Sequence, residues 1–242
     1  MGVAIVVVIV TRNRAEIVHR CLQSLLSQTL VPTQVVVVDN NSSDHTASVI
    51  RSVAQQGLPV RRVMESRVGY PYVYNQGLQQ AKKADWVCFI DDDCIADEVW
   101  YAELVKGVTR HPTAAAVMGA SQTLHTYSLW SLATWSFDQM WKQTAMADQD
   151  LKIGDKKICD LEVLDNKNIA YNQQFLQLHN IRFNEQVLLV DGVGAAEDAD
   201  LGMQISSHHG TAWFLPKAVV THMDPNSCGW FLKKIVASAR AV

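Results

Sequence analysis

The stretch WVCFIDDDCIAD, residues 86–97, places an apolar run directly before three consecutive aspartates. The apolar run, residues 86–90, predicts a buried β-strand. The aspartates at 91–93 have no lysine or arginine near them in sequence, since none occurs between residues 84 and 105. Neighbouring carboxylates repel one another by about 1 kcal/mol in water and by more in a partly buried site. We therefore expect a divalent cation to offset these charges.

Two structural explanations of the aspartates are the alternatives. Aspartate is favoured at a helix N-cap, and an amphipathic stretch, EVWYAELVKGV, begins at residue 98. Asp97 lies directly before that stretch, so we expect Asp97 rather than the three aspartates to cap the helix. A plain acidic turn without a ligand is the second alternative.

Further strand-like runs precede this one, and they alternate with helix-like stretches. The first helix-like stretch, residues 15–27, has its apolar residues at helical spacing. Apolar strands that alternate with amphipathic helices predict an α/β fold, with a Rossmann-like, mostly parallel sheet flanked by helices. The predicted strands span residues 3–10, 34–38, 60–64 and 86–90, and the predicted helices span residues 15–27, 43–56 and 71–83.

Polar segments follow all four predicted strands. Ligands of open α/β sheets bind beyond the carboxyl ends of the strands, so these segments should meet at one rim of the sheet. We expect this rim to be a polar ligand site that holds a cation. The segments are TRNR at 11–14, DNNS at 39–42, ESRVG at 65–69 and DDD at 91–93.

The residue types at the rim favour a nucleotide diphosphate bound together with a cation. Mg²⁺ is usually held by one or two carboxylates and by substrate phosphates. In an extended segment Asp91 and Asp93 point the same way and Asp92 points opposite, so a D-x-D pair can face the cation. Asp39, at the end of a neighbouring strand, is spare and can accept hydrogen bonds from a base N–H or a ribose hydroxyl. No G-x-x-x-x-G-K-[ST] loop occurs, and GVGAAED at 192–198 is an incomplete dinucleotide fingerprint.

Composition and charge exclude several other classes. The chain has 242 residues, of which 48% are apolar and 19% charged, as in a globular protein. Its 21 basic and 24 acidic residues give a net charge of −3 without a basic block, so no nucleic-acid partner is expected. Five scattered cysteines without a C-x-x-C pair fit a reducing compartment. Neither a signal peptide nor a membrane span is evident, and we expect a cytoplasmic protein.

A tryptophan-rich segment, YSLWSLATWSFDQMW, occupies residues 127–141. Core packing is the default explanation for its aromatic residues. Aromatic rings also stack on sugars and suit a membrane interface, so acceptor binding and peripheral contact with the inner face of the membrane are alternatives. The segment has no Lys/Arg-rich face, which weakens the membrane alternative.

Six short segments follow one another in an order typical of one enzyme family. They are VVIVTRNR from residue 7, VVVVDNNSSDHT from 35, SRVGYPYVYNQGLQQA from 66, FIDDDC from 89, AAEDADLGMQI from 195 and VVTHMDPNS from 219. Together they resemble the motifs of family 2 glycosyltransferases, which have the GT-A fold. The resemblance implies one GT-A domain over residues 1–242, with a nucleotide-binding half up to about residue 95 and an acceptor-binding half from about residue 96.

The resemblance implies transfer of a sugar, with inversion, from a nucleotide-diphosphate sugar to an acceptor hydroxyl, aided by Mn²⁺ or Mg²⁺. A UDP-sugar is the expected donor, and a glycan or glycolipid in polysaccharide or lipopolysaccharide assembly is the expected acceptor. Asp198 would be the general base, and Glu197 and Asn168 would contact the donor sugar or the acceptor. The implied nucleotide contacts are Thr11, Asn13, Asp39, Arg67, Asn75, Asp91 and Asp92, and the implied metal ligands are Asp91, Asp93 and His222.

Two departures from the family pattern change these expectations. Asn40-Asn41 replaces the usual Asp-Gly, and the turn should survive because asparagine tolerates the left-handed conformation. Tyr74 replaces the arginine that usually precedes Asn75, so Arg67 is the candidate replacement for that charge.

Other functions and other roles for these residues remain as alternatives. A sugar nucleotidyltransferase also uses acidic metal ligands on an α/β domain, but it would open with a glycine-rich loop, and TRNRAE contains no glycine. A nucleotide-sugar-binding module without turnover is the second alternative. Asp198 could be an ordinary acid at a helix N-terminus, and His222 could be a strand-end histidine.

Overall fold

The computed structural model describes residues 2–124, 154–186 and 197–223, together with 129–130, 132–133, 136, 139–140 and 229. Its strands are β1 (Ile5–Thr11), β2 (Val35–Asp39), β3 (Val60–Met64), β4 (Trp86–Ile90), β5 (Cys94–Ala96), β6 (Ala116–Thr123), β7 (Lys156–Ile158), β8 (Asn168–Asn172) and β9 (Ala212–His222). Its helices are α1 (Ala15–Leu26), α2 (Thr46–Gln55), α3 (Tyr70–Gln80), α4 (Trp100–Arg110), α5 (Gln173–Leu178) and α6 (Glu197–Ser207), and a short 3₁₀ helix spans Leu161–Val163.

The described strands form one nine-stranded sheet in the order β3-β2-β1-β4-β8-β6-β9-β5, with β7 paired to β9. Helices cover both faces of this sheet, so the predicted α/β class is confirmed. Strands β3, β2, β1 and β4 run parallel to one another. The rest of the described sheet is mixed, because β6 and β9 are parallel while the other pairings are antiparallel.

Strand β1 is buried along its whole length because its side chains enter two cores. Ile5 and Val7 belong to the core that includes residues of α1, α2 and α4, whereas Val6 and Val8 belong to the core that includes residues of α3 and α6. Successive side chains of a strand point to opposite faces, so both sets must be apolar. Burial of each such side chain contributes roughly 1.5–3 kcal/mol. This double burial explains why the strand is an unbroken β-branched run in the sequence.

The predicted bounds of the strands and helices lie within three residues of the observed ones. Strands β3 and β4 have the predicted bounds. Helix α2 begins later than predicted, because the Thr46 backbone N–H and hydroxyl donate to Asp44 Oδ1 at 3.0 and 2.6 Å and form a turn before the helix. The predicted cap at Asp97 is wrong: α4 begins at Trp100, and Asp97 Oδ1 instead accepts a hydrogen bond from the Val99 N–H at 3.2 Å.

The mixed half of the sheet brings distant parts of the chain to one rim. Strand β8 lies between β4 and β6 with Asn168 opposite Ile90, so the chain before β8 lies beside the aspartates. Strand β9 pairs with β5, and His222 lies opposite Cys94. At Gly202 in α6, a Cβ would collide with the Leu161 carbonyl, so glycine lets the helix pack closely on the 3₁₀ helix. This packing fixes the start of α6 at the same rim.

Candidate active site

The three aspartates lie in a turn rather than in an extended segment. Strand β4 ends directly before them, and the Cys94 N–H donates to the Asp91 carbonyl at 3.1 Å across the turn. The predicted alternation of their side chains is therefore wrong. Asp92 and Asp93 both contact the guanidinium of Arg14.

Arg14 supplies the positive charge that the neighbouring sequence lacks. Its Nη1 donates to Asp92 Oδ1 at 2.6 Å, and its Nη2 donates to Asp93 Oδ2 at 2.8 Å. The Thr11 hydroxyl donates to the other oxygen of Asp92 at 2.6 Å. The sequence analysis did not identify Arg14, which is 78 residues from Asp92 along the chain. The available signal was its position in the segment that follows β1, the strand beside β4.

Asp93 and His222 form a candidate cation site. Asp93 Oδ1 is buried without an aligned hydrogen-bond donor among the described residues, and it lies 3.1 Å from His222 Nε2. Burial would raise the pKa of Asp93, but His222 and Arg14 lower it well below its ordinary value, so this carboxylate stays ionised. An ionised carboxylate is a preferred ligand of Mg²⁺ and Mn²⁺, and the imidazole of His222 can bind beside it once the ring has released its proton. These residues therefore fit a divalent cation.

The Cys94 thiol lies beside this pair without being a suitable ligand for such a cation. Donor atoms of Asp93, Cys94 and His222 all lie within 4.8 Å of one another. Burial, followed by the charges of Asp91 and Asp93, raises the pKa of Cys94 well above its ordinary value. The protonated thiol is a poor ligand, and even a thiolate would prefer softer metals than Mn²⁺ or Mg²⁺.

A second acidic group adjoins the first and consists of Asp91, Asp165, Glu197 and Asp198. Burial and neighbouring carboxylates raise the pKa of Asp91 to about 8 and the pKa of Glu197 to about 7. Burial and the charge of Glu197 raise the pKa of Asp198 well above its ordinary value. The Asn166 N–H donates to Asp198 Oδ2 at 3.3 Å and holds the carboxylate in place. The group can therefore hold and release protons near neutral pH.

Two tyrosines at the start of α3 adjoin this acidic rim. Burial and the charges of Asp91 and Glu197 raise the pKa of Tyr70 to about 12, so its hydroxyl remains protonated. Tyr74, at the position of the family's arginine, is buried and stacks on Phe183 with ring centroids 4.8 Å apart. An aromatic core contact thus takes the place of a charge at this position.

Asp39 is not spare, contrary to our expectation. Its side chain is fully buried, and it accepts hydrogen bonds from Arg62 Nε at 2.7 Å and from the Ser42 N–H at 2.9 Å. Arg62 lies on the edge strand β3 with 30% of its side chain exposed, so a guanidinium covers the carboxylate at this end of the rim. The sequence analysis missed Arg62, although charged residues within a strand are typical of a sheet edge.

Asn13 ties together the loops that follow β1 and β2. Its Oδ1 accepts from the Ser43 N–H at 2.7 Å, and its own N–H donates to Ser42 Oγ at 2.9 Å. Asn13 and Asn41 have φ angles of 52° and 58°, so the prediction that asparagine can replace the turn glycine is confirmed at residue 41. Thr11, the last residue of β1, pairs in register with the end of β2, which places both predicted nucleoside contacts side by side.

Arg67 and Asn75 are engaged in contacts within the protein. Arg67 Nη2 lies 2.9 Å from Glu65 Oε2 and its Nη1 lies 3.5 Å from Glu185 Oε2. Asn75 exchanges two hydrogen bonds with the Phe183 backbone, at 2.9 and 3.0 Å. These contacts join α3 and the loop before it to residues 183–185. Their predicted roles as nucleotide contacts stay predictions.

The side-chain amides of Asn168 and Asn166 are both buried, but they differ in their hydrogen bonds. Asn168 Oδ1 accepts from Trp100 Nε1 at 2.8 Å, and its Nδ2 donates to the carbonyls of Ala120 at 2.9 Å and Ala218 at 2.8 Å. Both ends of this buried amide are therefore engaged within the protein, and its role as a sugar contact stays a prediction. Asn166 Nδ2, in contrast, is buried without an acceptor among the described residues.

Some sequence predictions concern residues that lie outside the described part of the chain. These are most of the tryptophan-rich segment at 127–141 and the first five residues of the GVGAAED run, 192–196. Among the residues that the structure does describe, every helix is too short or too polar to cross a membrane.

The chain belongs to a known family of sugar-transferring enzymes. The family model named Glycosyl transferase family 2 matches residues 6–160, and the chain is a member of that family. Glycosyltransferase AglE of Haloferax volcanii is 34% identical over 107 residues, a match that covers 43% of this chain and 34% of that protein.

Solved structures agree with this assignment at the level of the fold. Mannosyltransferase PcManGT from Pyrobaculum calidifontis, in complex with GDP-Man and Mn²⁺, has a TM-score of 0.69 at 19% identity and covers 98% of this chain and 62% of that one. S. aureus TarS 1–349, in complex with UDP-GlcNAc, has a TM-score of 0.69 at 18% identity and covers 94% and 60%. The expected GT-A fold is confirmed. The chain spans about a third of the length of the curated relative and about three fifths of these solved chains.

Proposed function

We propose that this chain transfers a sugar from a nucleotide-diphosphate sugar to an acceptor hydroxyl, with inversion, and that it requires Mn²⁺ or Mg²⁺. The observation that carries the proposal is the juxtaposition of two acidic groups at one rim. Asp91 interacts with Asp93 on one side and with Glu197 on the other. One group suits a cation and the other suits a general base, and an inverting transfer aided by a metal uses both.

Asp93 and His222 would hold the cation, with Asp91 as the further ligand that the family resemblance implies. When bound, the cation stabilises negative charge on the leaving diphosphate. The Mn²⁺ in PcManGT supports Mn²⁺ as the first ion to test.

Thr11, Asn13 and Asp39 form the proposed nucleoside end of the site, and Asp92 holds the Thr11 hydroxyl in place. UDP-GlcNAc in TarS and GDP-Man in PcManGT support a nucleotide-sugar donor. A UDP-sugar is our proposed donor. Because Arg62 covers Asp39, a base that reaches this end would meet the guanidinium first, and it would contact the carboxylate only once Arg62 moves aside.

Asp198 is the proposed general base. An alcohol is a poor nucleophile at neutral pH, so a carboxylate must accept its proton as the bond to the anomeric carbon forms. A raised pKa makes Asp198 a stronger proton acceptor than an exposed aspartate, and the Asn166 N–H keeps its Oδ2 in a defined position. Glu197, buried beside it, would contact the sugar or share the proton.

The proposed acceptor is a glycan or glycolipid, in polysaccharide or lipopolysaccharide assembly. Residues from about 96 onward would bind it, because β8, α6 and β9 bring the base and His222 to the rim from that half of the chain.

A thermal-shift panel with UDP, GDP, dTDP and CDP, each with Mn²⁺ or with EDTA, tests the proposal first. A ligand at about 100 times its dissociation constant adds roughly 2.7 kcal/mol of stability, or about 5–10 °C for a protein of this size. We expect one nucleotide to stabilise the protein only with Mn²⁺. The matching nucleotide-sugars are then tested for turnover, and NMR of the product identifies the anomer. Stabilisation that EDTA leaves unchanged would contradict the metal site, and binding without turnover would favour the binding-module alternative.

A further inference from the structure

Arg14 contacts Asp93, the carboxylate on which the proposed cation site depends, and the neighbouring Asp92. Its guanidinium bridges Asp92 Oδ1 and Asp93 Oδ2, so two of the three aspartates share one positive charge. The second oxygen of Asp93 lies 3.1 Å from His222 Nε2. Asp93 is therefore shared between a permanent positive charge on one side and the candidate metal ligand on the other.

A divalent cation bound by Asp93 would lie close to the charge of Arg14. Two positive charges a few ångströms apart repel strongly in a partly buried site. Arg14 also takes one of the two Asp93 oxygens that a cation could use. Both effects oppose binding of the cation while the guanidinium stays where it is.

The Arg14 side chain can change partners while its backbone stays in place. Its backbone is fixed at the start of α1, where its carbonyl accepts from the N–H groups of Ile17 at 3.0 Å and Val18 at 2.9 Å. Its side chain is 39% exposed, so the outer end has room to rotate away from the carboxylates. A diphosphate beside the cation would offer the guanidinium a new anionic partner, and arginine binds phosphate oxygens well.

We propose that Arg14 is an internal counter-ion that competes with the divalent cation for Asp93 and transfers to the diphosphate when both ligands bind. This inference rests on the cation site of the proposed function. It makes Arg14 a positioning residue that couples the two ligands: the cation alone binds weakly, and the cation with a diphosphate binds well. The reciprocal coupling must also hold, since each ligand changes the affinity for the other by the same factor.

Titration of the full chain with Mn²⁺ alone, followed by the EPR signal of free Mn²⁺, tests the competition. The variants are Arg14→Gln and Arg14→Lys. The matched control is Arg12→Gln, because Arg12 is an exposed residue of the same loop. Arg14→Gln should bind Mn²⁺ at least about 10-fold more tightly than the wild type, because the competing charge is gone. Arg14→Lys keeps a charge but cannot bridge both carboxylates, so its affinity should lie between the two. Arg12→Gln should match the wild type.

Inorganic pyrophosphate, which carries no base, tests the coupling. Pyrophosphate should tighten Mn²⁺ binding more in the wild type than in Arg14→Gln. In EDTA, Arg14→Gln should melt at a lower temperature than the wild type, because two carboxylates lose their partner, and Mn²⁺ should restore more of its stability. A merely structural arginine would give the lower melting temperature without the tighter binding.

The outcomes separate this inference from the proposed function. If the wild type binds Mn²⁺ and Arg14→Gln binds it equally or more weakly, the inference is wrong and the cation site stands. If neither binds Mn²⁺, both the cation site and the inference are wrong. If Arg14→Gln fails to fold, Arg14→Lys provides the test. A Mn²⁺ affinity of Arg14→Lys that is higher than that of the wild type supports the inference, and an equal or lower affinity overturns it.

Discussion

The two acidic groups at the rim, one around Asp93 and one around Glu197 and Asp198, lie next to each other, but their pKa values are shifted in opposite directions. Asp93 contacts Arg14 and His222, and its pKa is lowered despite burial. Glu197 and Asp198 lie among other carboxylates, and burial together with those charges raises their pKa values. Burial acts in the same direction on both groups, so the positive partners decide the difference.

The comparison shows how one rim can serve two chemical tasks. A carboxylate that stays ionised suits a cation, and a carboxylate with a raised pKa suits proton transfer. Asp92 lies between these limits: burial raises its pKa to about 6 although Arg14 opposes the shift. The neighbouring aspartates are thus distinguished by their partners rather than by their residue type.

Removing the ionised carboxylate should have the largest effect. Asp93→Asn should abolish Mn²⁺-dependent nucleotide binding and lower kcat/KM by at least about 10³, since a metal supplies several kcal/mol of charge stabilisation. Thermal shift and steady-state kinetics measure the two effects. Asp85→Asn, at the opposite end of β4, is the matched control and should change neither. If Asp93→Asn binds nucleotide normally with Mn²⁺, the cation site is misassigned.

Removing the proposed base should separate chemistry from binding. Asp198→Asn keeps the shape of the side chain and should lower kcat by at least about 10² while leaving Mn²⁺-dependent nucleotide binding nearly unchanged. Single-turnover kinetics and thermal shift provide the two measurements. Transfer at close to the normal rate would make Glu197 or Asp200 the next candidate for the base.

The contrast between Asn166 and Asn168 should distinguish a site residue from a structural one. Asn166→Ala should lower kcat by about 10-fold if its Nδ2 donates one hydrogen bond to a sugar, and it should cost about 1 kcal/mol of stability because the buried Tyr171 hydroxyl loses its acceptor. Asn168→Ala leaves the Trp100 N–H and two carbonyls without partners and should cost about 3 kcal/mol of stability. Melting temperatures and kcat of both variants check this. Equal effects on kcat and stability in the two variants would remove the distinction.

The raised pKa values predict how stability depends on pH. Asp91 and Glu197 have folded-state pKa values of about 8 and 7, above their ordinary values, so the folded protein holds extra protons in that interval. The contribution of these two groups to the free energy of unfolding should therefore be greatest below about pH 4.5, and it should fall as the pH rises towards 8. In EDTA we expect a melting temperature at least about 3 °C lower at pH 8 than at pH 5.5. Glu197→Gln should reduce this slope, and an unchanged slope would contradict the assignment.

Local patterns in the sequence predicted the parallel half of the sheet and its motifs. The apolar runs of β1 and β2 and the helical spacing in α1 depend on neighbours a few residues away, so they can be read without the fold. The left-handed asparagine at residue 41 was predictable for the same reason. The side-chain directions of the aspartates were not, because the chain turns there instead of extending.

These local patterns could not predict which side chains become neighbours when the strands pair. Asp39 looked spare because its partner, Arg62, becomes a neighbour only when β2 and β3 pair. Asn168 was predicted as a ligand contact from the sequence. In the fold its amide instead bonds to Trp100 of α4, Ala120 of β6 and Ala218 of β9, which become neighbours only when the sheet forms. Family resemblance pointed to Asp198 and His222, whereas residues alone could not select Asp198 among the acids of α6.

The sequence by itself determined the α/β class, the strands that end at the rim, and the concentration of carboxylates at residues 91–93. These properties follow from hydrophobic periodicity and from the order of residues along each strand. Only the tertiary structure decided which carboxylates keep their charge. Arg14 and His222 reach Asp93 from distant parts of the chain, whereas the half-buried Asp198 lies beside Glu197. Charge at these sites depends on distance and burial in three dimensions, and neither quantity is encoded in a local run of residues.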